Sequence, residues 1–189
     1  MSSGFESPAP RSRWTRSVHL RAISLSQVSA KRSRFVRSFT TRAKQAAAQG
    51  IVIVAVPWSK PPGALAGLDL AGKIVVDANN PIEAPLFKPA ELGGRVSSAV
   101  FADLVPGAKV VKAFNHLPPP VLSADPQENG GQRVLFFSGD DAEAKAEVAW
   151  VIDRLGFFGI DLGDLATGGR LVQFLGGPLS ALNLVKLGL

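Results

Sequence analysis

The chain has 189 residues, of which 46% are hydrophobic, so it is long enough for one domain with a sizeable core. It contains no cysteine, no tyrosine and only two histidines, which excludes disulfides, thiolate nucleophiles, zinc–thiolate sites and a histidine-rich metal centre. No stretch approaches the roughly 18 uninterrupted apolar residues of a membrane helix, so no membrane partner is expected. The net charge of +6 is unevenly divided: residues 1–44 hold ten of the 21 Lys and Arg but one of the 15 acids.

The first part of the chain, residues 1–42, lacks both helical and strand periodicity. Serine and basic residues dominate it and apolar residues are few, which predicts a basic, disordered segment ahead of a folded domain at 43–189. An organelle transit peptide is an alternative, because such leaders are rich in Arg and Ser and poor in acids. Nucleic-acid binding is not expected, because few aromatic residues accompany the charges.

Regular elements are predicted from residue 42 onward. Helices are predicted at 42–49, 95–104 and 141–155, a short helix and loop at 59–70, and a further helix near 171–175. Strands are predicted at 51–56, 73–78, 108–114, 133–138 and 157–162, and a loop at 82–94. This alternation of strands and helices is typical of an α/β layered domain.

The strand at 51–56 is the clearest of these elements. It is a short, β-branched apolar run between Gly50 and Pro57, which predicts a strand covered on both faces. Such strands belong to parallel sheets flanked by helices, and ligands bind beyond their carboxyl ends. The sequence therefore predicts a three-layer, Rossmann-like parallel sheet with a ligand site near Val56.

Polar motifs follow the predicted strands. The Asp-Ala-Asn-Asn-Pro sequence at 77–81 and the Lys-Ala-Phe-Asn sequence at 112–115 place asparagine amides at the expected ligand edge, although an Asx turn also explains the first. Lys112 is either solvated or paired with an acid. His116 is a candidate proton donor or an incidental histidine, and the Ser-Gly-Asp-Asp sequence at 138–141 is a ligand loop or a helix cap.

One motif is missing. A dinucleotide-binding fold carries G-x-G-x-x-G between its first strand and first helix, where the glycines let the backbone approach the pyrophosphate. No such sequence precedes residue 51, because there is no glycine between Gly4 and Gly50.

Four motifs in order, at 54–58, 77–81, 111–115 and 137–141, resemble the NADPH-dependent deazaflavin (coenzyme F420) reductase family, and the likeness covers about residues 43–189. The resemblance implies a Rossmann-like fold, a homodimer, a cytoplasmic location and hydride exchange between NADP and the deazaflavin. Two flat rings held face to face exchange a hydride without a general acid or base, so orientation supplies most of the catalysis.

The resemblance also implies the cofactor-binding residues. It assigns the NADP site to the rim of the sheet, with no catalytic side chain and no metal ligand: Ala55, Val56, Pro57, Asn80, Ala113 and Asn115. His116 departs from the family, which usually has a small hydroxyl residue at that position.

The N-terminal region departs further, because Arg- and Ser-rich sequence replaces the expected strand and glycine turn. We interpret residues 1–42 as a truncated, rearranged or frame-shifted start. Two consequences are expected: the edge of strand 51–56 is exposed, and NADP binds weakly or not at all. The predicted function is thus an impaired NADPH-dependent oxidoreductase that acts on a deazaflavin, or on a flavin, ferric iron or an imine. The alternative is a non-catalytic protein whose basic segment binds an anionic partner.

Overall fold

The computed structural model describes residues 22–24, 43–83 and 86–188 of the chain. Its helices are α1 (43–47), α2 (Pro61–Leu65), α3 (Ser97–Ala102), α4 (Pro119–Leu122), α5 (Ala142–Arg154) and α6 (Leu165–Val172). Its strands are β1 (Ala22–Ser24), β2 (Ile51–Ala55), β3 (Ile74–Asp77), β4 (Ile82–Glu83), β5 (Lys88–Pro89), β6 (Lys109–Ala113), β7 (Gln127–Glu128), β8 (Gly131–Gly139), β9 (Phe158–Asp161) and β10 (Val185–Leu187).

The central sheet of the described residues runs in the order β1-β2-β3-β6-β8-β10, and β7 and β9 also pair with β8. Strands β1, β2, β3 and β6 are parallel to one another. The predicted α/β, Rossmann-like architecture is therefore confirmed. The carboxyl ends of β2, β3 and β6 lie at one edge of the sheet, as expected for the ligand site.

Apolar side chains cover both faces of the sheet. Val52 and Val54 of β2 belong to a core with α1 and α3, whereas Ile51 and Ile53 pack against a second core that includes the buried face of α5. Each fully buried valine or isoleucine side chain contributes roughly 1.5–3 kcal/mol relative to exposure. Strand β2 is thus covered on both sides, as its sequence predicts.

The expectation that β2 has an exposed edge is wrong. Strand β1 pairs with it in parallel, with Ala22 opposite Ile53 and Ser24 opposite Ala55. Three residues are too short a stretch to show strand periodicity in the sequence, so pairing with β2 decides their conformation. The disorder predicted for the rest of 1–42 falls outside the described residues.

The direction of β8 also differs from the expected parallel sheet. Strand β8 runs antiparallel to β6, with Ala113 opposite Phe137 and Val111 opposite Gly139. A parallel strand needs a crossover that is usually a long helix, but the connection from β6 to β8 contains only the four-residue α4 and the two-residue β7. Proline at 118–120 prevents a longer helix from forming at its start.

Two smaller differences concern the ends of elements. The helix expected near 171–175 is α6, which starts earlier because the Asp164 side chain accepts a hydrogen bond from the Thr167 N–H. The expected loop at 82–94 includes the short antiparallel pair β4 and β5. Within the described ranges, no helix has both the length and the apolar character needed to cross a membrane.

Candidate functional site

The carboxyl ends of β2 and β3 are joined by two hydrogen bonds. The Ala78 N–H donates to the Val54 carbonyl at 3.0 Å, and the Val56 N–H donates to Oδ1 of Asn79 at 2.8 Å. Asn79 is buried, whereas Pro57 is exposed at the start of the loop that leaves β2. This edge, where residues 55–57, 78–80 and 113–115 meet, is called the rim below.

A pair of asparagines joins β3 to β6 at the rim. Nδ2 of Asn80 donates to the Asn115 carbonyl at 2.8 Å, and Nδ2 of Asn115 donates to Oδ1 of Asn80 at 3.0 Å. Asn115 Nδ2 also donates to the Val172 carbonyl at 2.9 Å, while Asn80 Oδ1 accepts from the Phe174 N–H at 3.3 Å. Because backbone groups cannot exchange donor and acceptor roles, these contacts fix which way both amides point.

The asparagine pair leaves one buried acceptor unsatisfied. Oδ1 of Asn115 has no hydrogen-bond partner among the described residues, although the side chain is buried. Both hydrogens of its amide nitrogen are already engaged, so this oxygen is the one polar atom of the Asn115 side chain that lacks a partner. It requires a group that donates a hydrogen bond.

A fully buried ion pair joins β3 to β6 directly before the rim residues. Nζ of Lys112 is 2.9 Å from Oδ2 of Asp77, and neither side chain is exposed. Lys112 also donates to the Asn79 carbonyl, and Oδ1 of Asp77 accepts from both the N–H and Nδ2 of Asn79 at 3.0 and 2.7 Å. The sequence left the partner of Lys112 undecided, and the register of β3 and β6, in which Asp77 faces Lys112, decides it.

His116 is packed in the core, so its ring is not exposed at the rim as a proton donor. It is 2% exposed, and its ring centroid lies 4.8 Å from that of Phe136. Burial lowers the pKa of His116 to about 4, an effect that a weak contact with the Val134 backbone only partly offsets. The imidazole is therefore neutral at pH 7, which favours the incidental histidine over the proton donor.

The remaining predicted residues divide between the rim and elsewhere. Ala55 ends β2 and Ala113 ends β6, but the Ala113 side chain is buried in the core beside α5.

The 138–141 motif lies at the opposite edge, because β8 is antiparallel. There Asp141 caps α5 by accepting from the Ala144 N–H at 2.8 Å, and this bond is the largest cause that lowers the pKa of its carboxyl. The helix-cap interpretation of this motif is the one that the geometry supports.

Comparison with known proteins agrees with the family resemblance seen in the sequence. The family model described as NADP oxidoreductase, coenzyme F420-dependent, matches residues 18–81. A hypothetical protein from Sinorhizobium meliloti has a similar structure, with 51% sequence identity, a TM-score of 0.72, and coverage of 76% of this chain and 70% of that one. This chain belongs to the coenzyme F420-dependent NADP oxidoreductase family. The description of that family names NADP and coenzyme F420.

Two further relatives share part of the chain. A candidate F420-dependent NADP-reductase from Arthrobacter sp. FB24 is 34% identical, with a TM-score of 0.56 over 68% of this chain and 60% of that one. The metalloreductase STEAP3 of Rattus norvegicus is 40% identical over 99 residues, which are 52% of this chain and 19% of the rat protein. The chain thus spans about a fifth of the length of that curated relative.

The family match begins at residue 18 and so includes β1, which corrects the expectation that the likeness starts near residue 43. From Ser24, the last residue of β1, the sequence reads Ser-Leu-Ser-Gln-Val-Ser. Serine stands at all three positions where G-x-G-x-x-G has glycine, and this spacing is the signal that a search for glycine alone missed. Each serine adds a side chain where glycine allows the backbone to approach a pyrophosphate.

The described residues fit one end of NADP. The unpaired Oδ1 of Asn115 has the acceptor chemistry that suits the N–H₂ group of a nicotinamide carboxamide, but it is buried, so a ligand reaches it only if neighbouring groups move. Phosphate groups find no backbone donor at Val56 or Pro57, because Asn79 already accepts from the Val56 N–H and proline has none. The nicotinamide end therefore fits this rim, whereas the pyrophosphate end would depend on the serine-substituted sequence at 24–29.

Proposed function

We propose that the chain binds NADP(H) with the nicotinamide end at the rim and acts as an NADP-dependent oxidoreductase. The observation that carries this proposal is the meeting of three parallel strand ends around the Asn80–Asn115 pair, with one buried acceptor left unsatisfied. Ala55, Val56, Pro57, Asn80, Ala113 and Asn115 remain the proposed binding residues.

The protein's own part in the reaction is binding and orientation. Bound NADPH supplies the hydride. The ion pair of Asp77 and Lys112 beside the rim is fully buried, and His116 is neutral near pH 7. The rim thus offers amides and backbone, which hold a flat ring in place, in keeping with a reaction that needs no general acid or base.

The proposed hydride acceptor is a deazaflavin such as coenzyme F420. The family description and the Arthrobacter relative favour it, whereas the name of the rat relative favours a metal ion as the oxidant that is reduced. A flavin or an imine is a further alternative. Incubation of the protein with NADPH and each acceptor in turn, with NADPH absorbance as the readout, separates them.

We also propose that NADP binding is weak, because serine replaces glycine at 24, 26 and 29. Isothermal titration with NADPH tests this in the native chain and in the Ser24→Gly, Ser26→Gly, Ser29→Gly triple variant. The variant is expected to bind at least about tenfold more tightly, roughly the effect of one good hydrogen bond to a charged group. The control is Ser33→Gly with Ser38→Gly, which lies outside the motif and is expected to leave affinity unchanged.

Each outcome has a separate meaning. Equal, tight binding by the native chain and the triple variant contradicts the impairment. An absence of binding in both contradicts the NADP site itself. If the chain does not bind NADPH but shifts the mobility of DNA in a salt-dependent way, the result supports the non-catalytic alternative, in which the basic segment binds an anion.

A homodimer in the cytoplasm is proposed with this function. Apolar side chains are exposed along the C-terminal segment, where a second subunit would cover them: Leu175, Leu182, Leu184 and Leu187. Analytical ultracentrifugation of the native chain checks the dimer, and a monomer at all concentrations contradicts it.

A further inference from the structure

The buried ion pair of Asp77 and Lys112 does more than hold two strands together. Removing two charges from water is costly, and apolar residues of similar size often stabilise a fold equally well. Here the pair is shared with a third residue: Asp77 accepts from the N–H and Nδ2 of Asn79, and Lys112 donates to its carbonyl. Because Nδ2 of Asn79 faces a carboxylate, Oδ1 is held on the opposite side of the amide.

That orientation determines which group accepts the hydrogen bond of the Val56 N–H. Oδ1 of Asn79 accepts from the Val56 N–H at 2.8 Å, one residue beyond the end of β2. In a continuing parallel ladder this N–H would bond to a backbone carbonyl of the next strand, but β3 ends at Asp77. The side chain of Asn79 therefore takes the place of that carbonyl.

Occupying the Val56 N–H changes what the rim can recognise. Unpaired backbone N–H groups at such ends attract phosphates and other anions. With Val56 engaged and proline at 57, neither residue presents one, while Oδ1 of Asn115 is an unpaired, buried acceptor. This set of groups matches a ligand that donates hydrogen bonds, such as a primary carboxamide.

We propose that Lys112 and Asp77 are positioning residues that act through Asn79 to close the Val56 N–H, so that the rim selects the carboxamide of a nicotinamide over a phosphate. The role rests on the proposed function, since it concerns the same rim. It assigns to the ion pair a part in ligand choice as well as in folding.

Amide hydrogen exchange, followed by NMR on the ligand-free full chain, tests the positioning directly. In Lys112→Met, exchange at Val56 is expected to accelerate by at least about tenfold relative to Val52 and Val54, because one hydrogen bond is lost or weakened. Lys109→Met, on the same strand but in a partly exposed ion pair with Asp141, is the matched control and is expected to leave Val56 protected.

If Lys112→Met fails to fold, Asn79→Leu is the second variant that tests the proposal. It retains both charges of the pair and removes the amide that reaches Val56, together with the hydrogen bond from Nδ2 of that amide to Asp77. Faster exchange at Val56 in this variant supports its part of the proposal. Protection at Val56 equal to that of the native chain, in either folded variant, overturns the proposal.

Ligand fragments separate selection from general damage. Asn79→Leu is expected to raise affinity for inorganic phosphate by about tenfold, because it frees the Val56 N–H, and to leave affinity for reduced nicotinamide riboside, which carries no phosphate, unchanged. A loss of affinity for both probes indicates a merely structural role and overturns the selectivity. If the native chain binds neither probe, the proposed function fails, while the exchange measurement still decides whether the ion pair controls Val56.

Discussion

The buried polar residues of this fold differ in whether their hydrogen bonds are satisfied. Asp77, Lys112 and Asn79 satisfy one another, whereas neither ring nitrogen of His116 has a well-formed hydrogen bond in the described part of the chain. An unsatisfied buried polar group costs roughly 1–3 kcal/mol. His116 is therefore a weak point of the fold, located directly after the rim residue Asn115.

His116 is expected to make stability depend on pH. Its pKa falls from an ordinary 6.5 to about 4 on folding, so the unfolded chain binds the proton more readily than the folded one. The free energy of unfolding should therefore decrease as pH falls from 6.5 to 4, by up to about 3 kcal/mol at the lower end. Urea unfolding at pH 7, 5.5 and 4.5 checks this.

The control is His116→Leu, which has a similar size and no titratable group. The variant should lose less stability than the native chain over the same interval and should be the more stable of the two at low pH. Parallel pH profiles for the two proteins would rule out this role of His116.

At the scale of elements, two glycines allow α6 to pack closely against the sheet and against α3. A methyl group at Gly168 would lie 2.4 Å from Cβ of Ser138 in β8, and one at Gly169 would lie 2.2 Å from Oγ of Ser98 in α3. These contacts position Val172, at the end of α6, so that its carbonyl accepts from Asn115 at the rim. The helix thus connects the packing of the sheet to the site.

Gly168→Ala is expected to destabilise the fold by about 1–3 kcal/mol, because the added methyl overlaps a β-carbon that cannot rotate away. Thermal denaturation measures the change. Gly63→Ala in α2 is the matched control: it meets no atom within 4 Å, and replacing a helical glycine should leave stability equal or raise it by about 0.5–1 kcal/mol. Similar melting temperatures for Gly168→Ala and the native chain would contradict the close packing.

For the whole molecule, the short strand β1 protects the edge of β2. Without it, the apolar strand β2 would present unpaired backbone groups, which template aggregation. The same strand extends the parallel part of the sheet to four strands, with Ser24 beside Ala55 at the rim. The N-terminal region therefore belongs to the fold at least at these three residues.

A chain that starts at residue 43 should consequently melt at a lower temperature and aggregate more than the full chain. A chain that starts at residue 21 retains β1 and should resemble the full chain in both respects. Light scattering during a thermal ramp compares the three proteins. Equal aggregation of the two shortened chains would show that β1 does not protect this edge.

The sequence by itself determined which segments are buried and at which end of the strands the polar residues collect. The β-branched run that forms β2 and the polar residues that follow β3 and β6 are local patterns, and burial and strand ends can be read from such patterns. They suffice to predict that Pro57, Asn80 and Asn115 share a rim, because the ends of parallel strands meet at one edge.

Tertiary structure alone decided partners and directions. Ala22–Ser24 is a strand because β2 offers it an edge, β8 reverses because its connection holds no crossover helix, and Lys112 finds Asp77 through strand register. Local pattern carries burial and period but no information on which strand lies alongside or which way it runs. Those choices depend on chain connection and on contacts between residues far apart in sequence, which is why they required the structure.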